Sequence, residues 1–475
     1  MRCHWRRSRY SPIRPIPLPF PLRRSVPHVC AGCGPSRTLE VALVLDTPRS
    51  PILLRLGGVL AGAALVLSAG CSAGADAQTS SDETAGNDVN VTITPADGSD
   101  EVRPDLPIVV AAEGGTITDV TVQRSSDDAE ADAAGNGDPA SVHAITGTLN
   151  EAKTEWTSDW TLPPGSDITV TANVENPDGE ASEVVSSFAT LPATEGQRLE
   201  LKSNFPASGD EVGVGMPIII DFDMPVQNKA QVEAAMTLRS EQPAVGAWNW
   251  FGDQRVVFRT EEYWEPNQEV VVDMRFAGVL AAEGVYGVKN YQLRFDVGRS
   301  QISRVDNNTH RMLVERDGQQ IQDFPISNGD GSRPEFRTTS GVHLTMERHR
   351  DYVMDSATIG IPEDSPGAYK LTVAYAVRFS NSGEFAHTSE GNTSLGIDNV
   401  SHGCTNMSLE DSRWFYENTL IGDPYIVTGT TRELEVDNGW GYWQRSWEDW
   451  LANSETGEAD PTDDDAAPGS SQTAA

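Results

Sequence analysis

Cysteine is scarce in this chain, with five in 475 residues, and three of them, Cys3, Cys30 and Cys33, lie in the first 40. The CAGC at 30–33 is half of a structural zinc site, and no second pair follows it, so a four-ligand zinc fold is excluded there. Basic residues are also short, at 35 Lys and Arg against 70 Asp and Glu. The first 70 residues hold ten Arg, no Lys and two acids, Glu40 and Asp46, which leaves residues 71–475 with 25 basic and 68 acidic groups. A surface of that sign repels nucleic acid and anionic lipid headgroups, so no nucleic acid is expected as a partner, and membrane contact needs something other than a basic face. Leu-rich segments of helical period are missing outside one N-terminal stretch. Gly, Pro, Thr, Val, Asp and Asn are plentiful, the composition of short strands and tight turns. The length exceeds a single core, and the chain reads as mainly β with roughly three folded units.

The one long apolar run is PILLRLGGVLAGAALVLSAGC, residues 51–71, which follows Arg49 and has the length of an export-signal core rather than of a spanning helix. Its end, Leu-Ser-Ala-Gly-Cys71, resembles the lipobox of bacterial lipoproteins, with Ser68 where that family has an aliphatic residue. The resemblance implies cleavage before Cys71, acylation of its thiol, and an exported protein anchored by lipid to the membrane and facing the cell wall. Residues 1–40 sit ahead of this signal, and the native start is expected near Val41–Val44. Residues 71–88 read as a flexible tether. A processed chain then has two cysteines, one of them lipidated, so Cys404 has no disulfide partner within the chain.

PADGSDEVRPDLPIVV (95–110) and PASGDEVGVGMPIII (206–220) repeat the same elements at a spacing of roughly 110 residues, the size of an immunoglobulin-like sandwich. In the first copy seven strands are expected, near 90–94, 107–112, 117–123, 141–148, 155–161, 167–174 and 183–189. Trp248 and Trp250 in the second copy read as core or inter-domain packing. Neither copy holds a catalytic group of residues, so the sandwiches, 89–194 and 195–298, are expected to space and orient the C-terminal part of the chain.

The chemistry lies beyond residue 298, where His343, His349, His387 and His402 accompany Cys404. A thiol becomes a nucleophile when a base favours its thiolate. His402 is two residues before Cys404 and His387 seventeen before it, so His387 has to arrive from a neighbouring strand. Gly403 permits close backbone approach to a carbonyl carbon and can aim N–H groups at a developing oxyanion. From these residues alone, catalysis, an inert core cysteine and a metal site of His387, His402 and Cys404 all stay open.

His387, Ser401, His402, Gly403, Cys404 and Asn406 stand at the spacing His, then Ser/Thr-His-Gly-Cys-x-Asn, which resembles the signature of bacterial L,D-transpeptidases, the YkuD-like domain. VMDSATIGIP, GAYKLTV, SGEFAHT, RWFYENTLIGDPYIV and GWGYWQRSWEDW extend the likeness to the mycobacterial type. The resemblance implies two immunoglobulin-like β-sandwiches followed by a β-rich catalytic domain, 299–430. It implies Cys404 as nucleophile, His387 as its base, and the Thr388 carbonyl orienting the imidazole. His402 and Gly403 would shape the oxyanion site, Asn406, Ser382 and Gly383 would line the donor channel, and Met354 and Tyr369 would lie at a lid near 350–370. The implied reaction joins a donor tetrapeptide stem of peptidoglycan to an acceptor stem in a 3→3 cross-link with release of D-Ala. No metal or cofactor is called for, and carbapenem β-lactams are expected inhibitors. An L,D-carboxypeptidase with the same acyl-enzyme and a non-catalytic wall-binding lipoprotein are the rival readings. Two positions depart from the motif: Thr405 replaces an apolar residue, and HTSEGNTS lacks a bulky aromatic after the base.

Trp443, Trp447 and Trp450 share one helical face by spacing, so 431–452 is expected to be a short Trp-rich helical segment packed on the catalytic domain. The acidic tail 453–475 has too few apolar residues to fold and is expected to be disordered.

Overall fold

The computed structural model describes residues 89–125, 142–366 and 368–463. The export signal, Cys71 and the tether lie outside the described residues, among which no helix is long and apolar enough to cross a membrane.

The first module is a sandwich of seven strands. Asn90–Thr94, Val109–Glu113, Glu155–Ser158 and Gly147–Leu149 form one sheet, and Thr116–Arg124, Asp167–Glu175 and Ala181–Ala189 the other. Alternation sets the packing: in Asp167–Glu175, Ile168, Val170, Ala172 and Val174 all point inward, onto Ile108, Val110, Ile117 and Trp156. Part of the expected strand at 141–148 is not described, and the pairing there is limited to Gly147–Leu149.

The second module pairs a five-stranded sheet (Asp460–Pro461, Val245–Phe251, Arg255–Thr260, Ile218–Phe222, Leu201–Phe205) with a four-stranded one (Glu211–Val212, Tyr291–Val297, Gln268–Met274, Met236–Ser240). Trp248 and Trp250 sit in its core with Phe222, Phe258, Trp264 and Phe276. The two sandwiches meet through Arg275, whose guanidinium lies 4.4 Å from the Trp160 ring, and through the Thr161 hydroxyl, which donates to the Ala277 carbonyl at 2.8 Å. Gly278 makes that approach possible, because at φ +91° an added Cβ would stand 2.1 Å from the Leu162 carbonyl oxygen.

The third module carries a five-stranded sheet (Gln319–Pro325, Arg311–Arg316, Gln301–Asp306, Pro424–Thr428, Gly341–Leu344) against a four-stranded one (Glu347–Asp355, Lys370–Arg378, Phe385–Thr388, Thr405–Met407). Val305, Met312, Val314, Phe379, Met407, Phe415, Tyr425 and Val427 fill the space between. It docks on the second sandwich through backbone bonds from Gly213 N to Ile421 O, 2.8 Å, and from Gly215 N to Gly422 O, 3.1 Å. The Arg299–Asp423 ion pair, 2.7 Å, closes the same joint.

Two expectations about the C-terminus need correction. The α-helix starts only at Trp447, capped by Ser446, and Trp443 belongs to a separate 3-10 turn, Gly441–Gln444. The segment packs on both domains: Ser340 N donates to the Arg432 carbonyl and Val342 N to Gln444 Oε1, both at 2.7 Å, while Trp450 and Tyr442 join Ile219, Ala247 and Val257 of the second sandwich, and Trp450 Nε1 donates to the Ala247 carbonyl at 2.9 Å. The three indoles converge on one cation, Arg259, whose guanidinium lies 4.8, 5.4 and 4.8 Å from the rings of Trp443, Trp447 and Trp450. Nor is the start of the tail disordered. Asp460–Pro461 adds a strand to Val245–Gly246, and the buried Glu233 carboxylate accepts from Ser454 Oγ, Glu455 N, Thr456 N and Trp250 Nε1 at 2.6 to 3.1 Å. Composition missed this because the anchor is a single buried acid on another element, not apolar area in the tail.

Glu233→Ala strands three N–H groups and the Ser454 hydroxyl, and is expected to cost about 2–4 kcal/mol. The urea midpoint should fall, and limited proteolysis should cut between 453 and 463 in the variant and not in the parent.

Candidate active site

The strand Phe385–Thr388 runs parallel to Thr405–Met407, with Ala386, His387 and Thr388 opposite Thr405, Asn406 and Met407. Parallel neighbours need a crossover of a dozen or more residues, and the loop 389–404 supplies it. The pairing sets Cys404, the residue before the second strand, beside the His387 strand. Gly403 turns the chain into that strand with φ +126°, a region that disfavours side chains, although an added Cβ would meet nothing closer than Glu384 Cγ at 3.8 Å.

The peptide groups around the thiol are tied down. Ser401 Oγ accepts from Gly403 N at 3.1 Å and donates to the Cys404 carbonyl at 2.6 Å, while Thr338 Oγ1 donates to the Gly403 carbonyl at 2.7 Å. Fixing the Gly403 carbonyl also fixes the Cys404 N–H on the far side of the same planar peptide. The thiol itself rests 3.7 Å from the Gly383 carbonyl.

His387 Nδ1 lies 2.8 Å from the Thr388 carbonyl oxygen. A carbonyl can only accept, so Nδ1 carries the proton and Nε2 keeps its lone pair. Thr388 is held in turn by the helix Leu409–Asn418, through a 2.6 Å contact between its hydroxyl and that of Ser412. Burial pushes the imidazole down to about 4, against the opposing pull of the Thr388 bond. The same burial pushes the Cys404 thiol up to about 12, with the Phe385 backbone lowering it and Glu384 raising it further. Burial thus favours the neutral form of both the thiol and the imidazole.

Two cavities meet at this thiol. One, of about 570 Å³, is lined by Met354, Tyr369, His387, Ser401, His402, Cys404 and Asn406, with Asp351 and Glu390 and no Lys or Arg. The other, of about 210 Å³, is lined by Tyr369, Asn381, Ser382, Gly383, His402 and Cys404, with Arg432 as its cation and Glu335 and Glu384 as its acids. Of the residues expected along the donor channel, Asn406 lines the larger space and Ser382 and Gly383 the smaller, with Cys404 lining both. His402 and Tyr369 form the partition, their rings 5.3 Å apart, and His402 is braced edge-on by Phe336 at 4.4 Å.

The stretch expected as a lid, near 350–370, falls on the hairpin between Glu347–Asp355 and Lys370–Arg378. The Ser356 N–H donates to the Tyr369 carbonyl and the Tyr369 N–H to the Ser356 hydroxyl oxygen, both at 3.0 Å, and with the Asp355–Lys370 ion pair, 2.7 Å, they close its base. Met354 and Tyr369 thus reach the cavity from its two strands, packed with Val373, Phe385 and Cys404. His349 lies away from the site, paired with Glu347. No group of three or more His, Cys, Asp or Glu side chains among the described residues is placed to share a metal ion.

Thr405 explains its departure from the motif: wholly buried, its hydroxyl donates to Asn328 Oδ1 and accepts from Tyr425 Oη, both at 2.8 Å. Sequence reading missed Thr338 and Glu384, which reach the site from other segments and carry no motif.

A β-rich domain thus places His387 on one of two parallel strands and Cys404 at the start of the other, both lining one cavity. The family model for the L,D-transpeptidase catalytic domain matches residues 300–427, and that for a bacterial Ig domain matches 99–280, spanning parts of both sandwiches. Two curated relatives from Mycobacterium tuberculosis are each 30% identical: L,D-transpeptidase 5 over 77% of this chain and 76% of its own, and L,D-transpeptidase 2 over 77% and 84%. Among solved structures, LdtMt1 in complex with imipenem is 33% identical at a TM-score of 0.42, covering 48% of this chain and 98% of its own. The chain belongs to the L,D-transpeptidase family, and it is an L,D-transpeptidase enzyme of the cell wall.

The depressed His387 value has a consequence for stability. Folding favours the neutral imidazole, so its contribution is complete above the unfolded value of 6.5 and is lost as pH falls toward about 4. The urea midpoint should therefore drop between pH 6.5 and 4, and the drop should be shallower in His387→Gln, which cannot titrate.

Proposed function

We propose that this enzyme forms 3→3 cross-links in peptidoglycan by two-step acyl transfer through a thioester on Cys404. His387 Nε2 takes the thiol proton as sulfur attacks the carbonyl at the L-centre of the third residue, a diamino acid, in a tetrapeptide stem. The tetrahedral intermediate collapses, the bond to the terminal D-Ala breaks, and the imidazolium returns the proton to the departing amine. A side-chain amine of a second stem then attacks the thioester, His387 takes its proton, and the proton passes to the released thiolate. Gly403 N–H is engaged by Ser401, so the oxyanion donor of this segment is the Cys404 N–H, held in place by the Thr338 bond to its own peptide.

The observation that carries this reading is the junction of two cavities at one buried thiol, with His387 on the larger side. A transferase needs separate space for a leaving group and for an incoming nucleophile. The larger cavity, with Asp351 and Glu390 and no cation, suits a cationic amine acceptor, and Arg432 in the smaller is the one cation lining either space. Acylation of the same thiol by carbapenems is expected as well, since a strained lactam carbonyl can take the place of the peptide carbonyl. A lipid on Cys71 would hold the two sandwiches and the catalytic domain on the outer face of the membrane, facing the wall.

Incubation with a diaminopimelate tetrapeptide muropeptide should give a 3→3 dimer and free D-Ala by mass spectrometry, with neither in Cys404→Ala. His387→Ala should slow the reaction by about 10²–10⁴-fold. Tripeptide and D-Ala without dimer would assign the chain to L,D-carboxypeptidases, and turnover persisting in Cys404→Ala would refute the thioester.

A further inference from the structure

Behind the nucleophile lies a second pair of titratable groups that the reaction does not consume. Glu384, wholly inside the domain, accepts from Thr339 N at 2.7 Å on one oxygen and from the hydroxyls of Thr339, Ser380 and Ser382 at 2.8, 2.5 and 2.9 Å on the other. Four neutral donors converge on this one carboxyl group, and no cation is among them. Its aliphatic stem lies against Gly403, and its negative charge opposes ionisation of Cys404.

His343, fully buried, is the neighbour able to supply the missing positive charge. Its Nε2 points at the Thr339 carbonyl oxygen at 2.9 Å and its Nδ1 at the Phe379 carbonyl oxygen at 3.2 Å. A neutral imidazole has one N–H, so it would aim a bare lone pair at a carbonyl oxygen, whereas an imidazolium satisfies both. The Thr339 hydroxyl, 3.3 Å from Nε2, is engaged with Glu384 and does not relieve this conflict. Burial holds the His343 imidazole below its ordinary value, against the opposing pull of the Glu384 charge and of the two carbonyls, so it is the geometry of the two carbonyl acceptors that calls for the imidazolium. The other groups facing this pair are Arg378, whose charge acts on Cys404, and the Phe379 and Tyr425 rings edge-on to the imidazole.

We propose that His343 and Glu384 form a buried imidazolium–carboxylate pair, and that His343 is a positioning residue which cancels the Glu384 field at Cys404 and so sets the pH range in which the thiol reacts. The same pair fixes geometry. Glu384 clamps Thr339, and the adjoining Thr338 clamps the Gly403 carbonyl, so the carboxylate that raises the field also helps to hold the Cys404 peptide. The carboxylate is kept for that hold, and His343 offsets its electrostatic cost to the thiol.

The test uses the full chain and needs no wall substrate. With ¹⁵N-histidine labelling, both ring nitrogens of His343, assigned by comparison with His343→Gln, should show imidazolium shifts at pH 7.5. A neutral pattern, with one protonated and one bare nitrogen, would overturn the pair. Alkylation of Cys404 by iodoacetamide is then followed against pH in the parent, His343→Gln, Glu384→Gln and the double variant. His343→Gln should react about tenfold more slowly near neutral pH, with its profile displaced upward by about one pH unit. Glu384→Gln should react at least as fast as the parent, and the double variant should return to the parent profile. A purely structural role would change rates without displacing the profile and would give no recovery in the double variant. If His343→Gln fails to fold, slower alkylation in Glu384→Gln would still contradict the proposal.

Discussion

The catalytic domain depends on one parallel strand pairing. Phe385–Thr388 and Thr405–Met407 share a sheet in register, and the placing of Cys404 relative to His387 follows from it. The pairing brings His387 and Cys404 together across a crossover, while Gly403, at a φ that suits glycine, turns the chain into the second strand. The helix Leu409–Asn418 comes directly after it and holds Thr388, whose carbonyl fixes the tautomer of His387. A one-residue slip would turn the imidazole to the other face of the sheet.

Burial is the second constraint. The thiol sits in an apolar cluster with Met354, Val373 and Phe385, which disfavours the thiolate, and the imidazole is equally starved of water, which disfavours its cation. Both partners rest neutral, and the ion pair required for attack has to form as substrate arrives and the carbonyl begins to accept charge. Such a site gives little reactive thiolate to stray electrophiles. The lid hairpin sharpens the effect, because Tyr369 stands in the partition between the two cavities and its own hydroxyl is pushed up to about 12 by burial.

The sandwiches were legible because their physical cause is local, and the Cys–His signature through its resemblance to the L,D-transpeptidase motif. Alternation over Asp167–Glu175 writes the inward face directly, and the spacing between His387 and Ser401–Asn406 is the length a parallel crossover requires. Other features depend on residues far apart in the chain. Thr338 and Glu384 contribute by where the Ser327–Thr339 loop meets the Ser380–Glu384 turn, and neither carries a pattern of its own. The three tryptophans read as one helical face, yet a 3-10 turn and a helix bring them to Arg259 separately. The tail looked unable to fold by composition, but one buried carboxylate, Glu233, gives its backbone the partners that apolar area could not. Which cavity Asn406 and Ser382 each line was equally beyond sequence, since no pattern marks the side of Cys404 on which they lie.

The neutral resting pair is the central claim, and the ultraviolet absorbance of the thiolate near 240 nm tests it most directly. Titration of the free enzyme, with Cys404→Ala subtracted, should show no thiolate step between pH 5 and 8, with absorbance rising only in strongly alkaline solution. A thiolate signal already present near pH 6, and lost in His387→Gln, would mean a preformed ion pair and would contradict the account.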